Sequence, residues 1–151
     1  DLSLEAGKGY RIDVHRETVI KIPAILMEAK VAVTPMKGFT RFAGTMELSG
    51  INTTIRKERV NAIVKAAEAY YPGLKITAAE KEAAASGMHP VSPDGLPYIG
   101  RPKAIKNLCF ATGHAMMGWS LGPATGKLIS EIILNKKLSM DLTPFDPNRK
   151  F

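Results

Sequence analysis

The stretch of residues 112–120 carries the side chains and glycines best suited to holding a ligand. It reads Thr-Gly-His-Ala-Met-Met-Gly-Trp-Ser and lies between an apolar run and a segment with helical periodicity. Gly113 and Gly118 allow backbone N–H groups to turn toward a ligand, and the following helix offers the positive end of its dipole. Gly122 and Gly126 leave room on that helix for a flat group. The stretch is therefore either a platform for an anion or a planar cofactor, or a structural strand-to-helix turn.

A second stretch, residues 86–100, combines rigidity with one titratable side chain. Its prolines restrict the backbone, and Pro93-Asp94-Gly95 is a strong turn signal. His89 is the side chain of this stretch that can change charge near neutral pH. His89 is thus a candidate functional side chain, and the alternative is a hydrogen-bonded structural histidine.

Other chemistry has little support in the sequence. The three histidines, His15, His89 and His114, lack the spacing of metal ligands, so no metal site is predicted. Cys109 lies in an apolar run and is interpreted as a packing residue. The chain has no Gly-x-Ser-x-Gly or phosphate-loop motif, and a Gly-x-Gly at residues 7–9 lacks the third glycine of a dinucleotide fingerprint. We name no catalytic residue.

Strands are the first elements that the sequence predicts for positioning these two stretches. Alternating or β-rich runs predict strands at residues 9–15, 25–34 and 39–48, with a turn at Lys37-Gly38. Short turns between them indicate an antiparallel meander. Residues 107–112 predict a short buried strand that ends at Gly113.

Two principal helices complete the prediction. The first begins at the N-cap Thr54 and stops at Pro72, and the second begins at Ser120 with Pro123 in its first turn. The fold class predicted is α+β, with an antiparallel or mixed sheet. The predicted buried faces are Val60, Ile63, Val64, Ala67 and Tyr71 on the first helix, and Leu121, Ala124, Leu128, Ile129, Ile132 and Ile133 on the second.

Composition is that of a globular protein. The chain has 151 residues, of which 45% are hydrophobic and 23% charged, and no run approaches the ~18 apolar residues of a membrane span. The single cysteine fits a reducing compartment. The net charge of +7 is spread along the chain without interleaved aromatics, so nucleic-acid binding is not predicted. The chain has no initiator Met, and we expect it to begin inside a longer protein.

Four pieces of the sequence, in this order, resemble the C-terminal part of FAD-dependent D-amino-acid dehydrogenases, in the D-amino-acid oxidase and glycine oxidase family. The resemblance implies the substrate-domain half of that fold, with the N-terminal Rossmann half absent. It divides a single body, 1–151, into a substrate-domain-like part at 1–100 and a returning, flavin-contacting strand, loop and helix at 101–151. The four pieces are Gly7-Lys8-Gly9-Tyr10, Val33-Thr34-Pro35 with 41–48, residues 93–100, and residues 112–119 followed by Gly126.

The resemblance also implies site residues. In the family, the loop that matches residues 115–120 lies against the isoalloxazine ring, with backbone N–H groups facing the edge that gains negative charge on reduction. His89 and Met116 are the implied substrate-binding residues. The implied cofactor-binding residues are Gly113, His114, Ala115, Met116, Met117, Gly118, Trp119 and Ser120.

The sequence departs from the family at two positions. It has Gly87-Met88-His89-Pro90 where the family usually has Gly-Leu-Arg-Pro, and His cannot copy the bidentate pairing of that Arg with a substrate carboxylate. Ala85 stands where relatives often have Trp. Residues 78–85 score as helix on propensity, but the resemblance favours a strand, and we predict a strand.

The implied function is oxidation of an amino acid, of the D series, to the imino and then the oxo acid by hydride transfer to FAD. The electrons would pass to a quinone in a dehydrogenase or to O₂ in an oxidase. This chain alone is expected to hold FAD poorly and to be inactive without the Rossmann half. The alternative is a stand-alone binding or interaction module that has lost the cofactor. We expect a cytoplasmic location, with peripheral attachment at the inner membrane as the other option, and an oligomer formed through an exposed sheet face.

Overall fold

A computed structural model describes residues 2–151, which form two compact units. One unit is Lys8–Met88, and the other combines residues 2–7 with His89–Phe151. Residues 89–100 thus group with residues 101–151. Pairing of residues 98–100 with 110–112 explains that grouping. The roles assigned to residues 1–100 and 101–151 stay predictions.

The main sheet has five strands in the order β2-β3-β4-β1-β5. β2 pairs antiparallel with β3, and β3 pairs antiparallel with β4, so these strands form a meander. The predicted meander of residues 9–15, 25–34 and 39–48 is wrong for its first strand, because β1 lies beside β4 rather than beside β2. The run predicted as one strand at 25–34 is two strands, because the chain turns at residues 27–30, where Lys30 has φ 53°. The strands are β1 Glu5–Val14, β2 Ala24–Leu26, β3 Val31–Met36, β4 Phe39–Leu48 and β5 Ala85–Val91.

Helix α1, Lys57–Tyr70, packs on the core of the Lys8–Met88 unit. Its predicted apolar face is confirmed, with Val60, Ile63 and Ala67 buried. The predicted N-cap Thr54 is wrong, because the helix begins after Arg56. The carbonyl of Thr54 instead accepts a hydrogen bond of 2.9 Å from Lys8 Nζ, which holds this residue outside the helix.

Strand β4 changes face at Thr45. This residue has φ 56°, which is unusual for a β-branched side chain, and its buried hydroxyl has no hydrogen-bond partner among the described residues. Regular alternation from the buried Phe42 would point Glu47 away from the core. Glu47 is nevertheless buried and accepts a hydrogen bond of 2.5 Å from the core residue Tyr10. The strained residue thus turns the end of β4 toward the core.

Helix α2, Ala78–Glu82, overturns the strand predicted for residues 78–85. A capping box starts this helix: the Thr77 hydroxyl accepts a hydrogen bond from the Glu80 N–H, and the Glu80 carboxylate accepts one from the Thr77 N–H. The local signals for a helix therefore prevail over the family resemblance, and β5 begins only at Ala85.

The second unit contains a two-stranded antiparallel sheet of β6, Tyr98–Gly100, and β7, Phe110–Thr112. β7 is shorter than the predicted strand at 107–112. The rigid stretch singled out at residues 86–100 is a loop only in its middle, because its two ends belong to β5 and β6.

Helix α3, Gly118–Ile133, follows a 3₁₀ turn at Ala115–Met117. Its N-cap is Met117 rather than the predicted Ser120, so Pro123 lies in the second turn instead of the first. The predicted buried face is only partly correct. Leu128 is buried and Ile129 and Ile132 are half-buried, whereas Leu121, Ala124 and Ile133 are exposed. In the part of the chain that the structure describes, no helix is long and apolar enough to cross a membrane.

Candidate functional site

The two stretches singled out in the sequence meet through the backbone. Val91, the last residue of β5, forms an isolated antiparallel bridge with His114. His89 lies two residues earlier in the same strand and is half-buried. The strand that carries His89 therefore runs beside the start of the 113–120 turn.

Gly113 is required at the start of this turn for two reasons. Its φ of 82° is strained for other residues, and a Cβ there would lie 3.3 Å from side-chain atoms of both Leu4 and Tyr98. Ala115 adds a second positive φ, 47°, directly after His114 with φ −75° and ψ 2°. A right-handed residue followed by a left-handed one turns successive backbone N–H groups to one side, and such a concavity attracts negative charge.

The side chain of His114 anchors the turn to α3. Its Nε2 lies 2.9 Å from Oγ1 of the buried Thr125. Burial lowers the pKa of His114 from its usual value of 6.5, which favours the neutral imidazole. Helical spacing in the sequence did not identify Thr125, because a polar residue on the buried side of α3 has no periodic signal.

The rest of the turn is open to solvent. Met116 is 67% exposed, Met117 is 52% exposed and Trp119 is 96% exposed. Ser120 and Gly118 are also exposed at the first turn of α3. Apart from the adjacent residues and backbone of the helix itself, no atom of residues 2–151 lies within 4 Å of a Cβ built on Gly122 or Gly126. An apolar surface thus borders the positive end of a 16-residue helix.

These features fit a flat group with a negatively polarised edge, such as an isoalloxazine ring. Backbone N–H groups of residues 114–116 and the start of α3 could face that edge, while the exposed apolar side chains contact the rings. The binding roles of the eight residues 113–120, and of His89 and Met116 toward a substrate, stay predictions. Among residues 2–151, no cluster of three His, Cys, Asp or Glu side chains could hold a metal ion.

One residue near this turn, Arg149, was not identified from the sequence. The side chain of Arg149 is only 12% exposed. Its guanidinium lies over the ring of Tyr98. A lone arginine near a chain end carries no spacing signal, so its burial could be learned only from the structure.

Comparison with known proteins identifies relatives over nearly the whole chain. The family described as DAO, FAD dependent oxidoreductase, matches residues 1–132. A D-amino acid dehydrogenase of Granulibacter bethesdensis is 32% identical over 139 residues, which is 89% of this chain and 32% of that protein. A D-amino-acid oxidase of Bradyrhizobium diazoefficiens is 29% identical over 98% of this chain and 36% of that protein. The chain thus spans about a third of the length of these curated relatives.

Solved structures have the same fold. Glycine oxidase from Geobacillus kaustophilus superposes with a TM-score of 0.84, covering 100% of this chain and 40% of that one at 24% identity. Glycine oxidase from Bacillus cereus superposes with a TM-score of 0.75, covering 89% of this chain and 38% of that one at 28% identity. The predicted α+β fold class and the predicted resemblance are both confirmed.

Proposed function

The chain belongs to the FAD-dependent oxidoreductase family, and on that premise we propose that it is the C-terminal, substrate- and flavin-facing part of an enzyme that oxidises D-amino acids. The printed names of its curated relatives support the substrate class, and its coverage of about a third of their length supports its being part of a longer protein. The missing part would supply the Rossmann half that binds the rest of FAD.

The proposed reaction removes two electrons and two protons from an amino acid. The C–H bond at Cα breaks and its hydrogen leaves as hydride, the amine loses a proton, and a C=N double bond forms. Water then converts the imino acid to an oxo acid and ammonia. FAD, when bound, supplies the two-electron acceptor, and a quinone or O₂ would later take the electrons.

This chain would contribute a fixed dipole and a flat contact surface. The turn at residues 113–120 presents backbone N–H groups and the start of α3, and both favour negative charge on a neighbouring group. Because Gly113 and the His114–Thr125 hydrogen bond hold the turn in place, the dipole needs no rearrangement during the reaction. Met116 would border the substrate on the same side.

The single observation that carries the proposal is the bridge between Val91 and His114. It joins the strand of the proposed substrate residue His89 to the proposed flavin-facing turn, as a hydride transfer requires. His89 would bind the substrate carboxylate through one charge-assisted hydrogen bond when protonated, where a family Arg would make two.

The test is the visible absorption spectrum of the parent protein, before and after anaerobic addition of D-amino acids. Flavin bands that bleach with a D-amino acid would support the cofactor, the reaction and the substrate class together. Recovery of the bands on admitting air, or only on adding a quinone, would separate an oxidase from a dehydrogenase. Flavin bands that no amino acid bleaches would refute the proposed substrate class.

A substitution at His89 tests its assignment. We expect His89→Arg in the parent enzyme to lower the Michaelis constant for D-amino acids, because a guanidinium can pair with a carboxylate through two hydrogen bonds. Met88→Leu, which restores the family's neighbouring residue without adding charge, is the matched control. An unchanged or higher Michaelis constant in His89→Arg would count against a carboxylate at this position.

A second candidate function is supported by the exposed apolar side chains of Met116, Met117 and Trp119. Surfaces of this kind also bind other proteins, and the chain could be a binding module that has lost the cofactor. A parent protein without flavin absorption would favour this function over the enzyme.

A further inference from the structure

We propose that Arg149 is a positioning residue for the turn at residues 113–120, which it supports through Tyr98. The ligand assigned to this turn rests on the proposed function, whereas the support itself rests on contacts within the chain. These contacts run in three steps, from the tail to the loop at residues 93–97, then to β6, and then to the turn.

The first step joins the tail to the loop before β6. Arg149 Nε lies 3.0 Å from Asp94 Oδ2 and Nη2 lies 3.1 Å from Asp94 Oδ1, which is a bidentate pair. Nη2 also donates to the carbonyl of Leu96 at 2.7 Å, and Nη1 donates to that of Pro97 at 3.3 Å. One guanidinium therefore binds three residues of this loop, and this geometry needs the planar fork of arginine.

The second step joins the guanidinium to β6. Its central carbon lies 3.8 Å from the centre of the Tyr98 ring, within the range of a cation–π contact. Tyr98 is 1% exposed, so the stacked guanidinium covers a ring that would otherwise lose its packing. The tail reinforces the contact at Pro147, whose ring would lie 3.0 Å from a Cβ on Gly100, the last residue of β6.

The third step joins Tyr98 to the turn. Tyr98 is paired with Thr112 in the β6–β7 sheet. Its ring atom Cδ2 lies 3.3 Å from the position of a Cβ on Gly113, so the ring packs directly against the first residue of the turn. Displacing Tyr98 would therefore free Gly113 to move, and His114 and Ala115 follow it.

Amide hydrogen exchange of the 151-residue chain tests this support without any cofactor. Arg149→Met removes the fork, and Arg149→Lys retains the charge without the fork. Lys150→Met is the matched control, since Lys150 is an exposed tail residue one position further. We expect both Arg149 variants to exchange about tenfold faster at residues 93–100 and 110–116, as expected for losing hydrogen bonds to a charged group. The Lys150 variant should exchange like the wild type.

Two results would overturn the proposal. Faster exchange confined to the tail and to residues 93–97 would show that Arg149 holds the tail alone, and wild-type exchange in Arg149→Lys would show that charge suffices. If Arg149→Met fails to fold by circular dichroism, Arg149→Lys and Asp94→Asn carry the same test.

Flavin binding to the parent protein distinguishes failure of this proposal from failure of the proposed function. We expect FAD to bind about tenfold more weakly to Arg149→Lys than to the wild type or Lys150→Met, in titrations of flavin fluorescence. Equal FAD affinity in these proteins would refute a role of Arg149 in the flavin-facing turn. A wild-type parent that binds no FAD would refute the proposed function. The hydrogen-exchange experiment would then still test whether Arg149 supports the turn.

Discussion

Gly44 gives the sharpest test of the packing in the sheet. It lies in β4 opposite Val31, within the piece of sequence that resembles the family. A Cβ at this position would lie 2.7 Å from the carbonyl oxygen of Lys30 and 3.0 Å from Cγ2 of Val31. The carbonyl belongs to the backbone of the turn before β3 and cannot rotate away, so Gly44→Ala must shift one strand against the other.

The size of the effect follows from two opposing contributions. Overpacking of this kind costs about 1–3 kcal/mol, and replacing Gly by Ala returns about 0.4–1 kcal/mol by restricting the unfolded chain. Subtracting the midpoint of the second range from the midpoint of the first gives a net loss of about 1.3 kcal/mol in the free energy of unfolding. Gly87 in β5 is the matched control, because no described residue other than its two chain neighbours has an atom within 4 Å of a Cβ built there. Gly87→Ala should therefore gain about 0.4–1 kcal/mol.

The assay is urea denaturation of the wild type and both variants, followed by far-ultraviolet circular dichroism. Because the unfolded-chain contribution is common to both variants, the difference between them isolates the overpacking cost of about 1–3 kcal/mol. The comparison requires equal slopes of free energy against urea concentration. If Gly44→Ala were as stable as Gly87→Ala, the close approach of Lys30 to β4 would be wrong.

Three further predictions concern single side chains. Hydrogen bonds from Ser49 and Tyr10 are the main causes that lower the pKa of Glu47 from 4.5 to about 2. The stability that the carboxylate contributes is therefore present above pH 4.5 and is lost as the pH falls toward 2. The urea midpoint of the wild type should fall over that pH window, and the midpoint of Glu47→Gln should fall less. Burial lowers the pKa of His114 below 6.5, so as the pH falls the imidazole becomes protonated in the unfolded chain before it does in the folded chain, and the free energy of unfolding declines below pH 6.5. An NMR titration of the ring protons of His114 with a midpoint at or above 6.5 would contradict this. Thr77→Ala should cost about 0.5–2 kcal/mol through loss of the capping box, and an unchanged urea midpoint would mean that the cap does not stabilise α2.

Features that depend on neighbouring residues were predictable from the sequence. The spacing of Val60, Ile63 and Ala67 predicted the buried face of α1, and Lys37-Gly38 predicted the turn between β3 and β4. The capping box at Thr77 is also a local feature. The strand expected there from the resemblance was wrong, and the helix indicated by local propensity is the structure observed. These features are local because helical spacing, turns and caps act within a few residues.

Contacts between distant segments could be learned only from the tertiary structure. Helical periodicity predicted six apolar residues on the buried side of α3, but among the described residues only some of these six side chains are shielded from solvent. The face change at Thr45, which turns Glu47 toward Tyr10, also has no signature in residue type.

The candidate site divides in the same way. The sequence by itself determined the family, the sheet-and-helix class and the glycine-bounded turn at residues 113–120, because motif order, alternation and glycine placement are written along the chain. Only the tertiary structure decided that Val91 pairs with His114 and that Arg149 stacks on Tyr98. Arg149 and Tyr98 are 51 residues apart in sequence (149 minus 98), and what brings such residues together is the packing of whole elements rather than the preference of any residue for its neighbours.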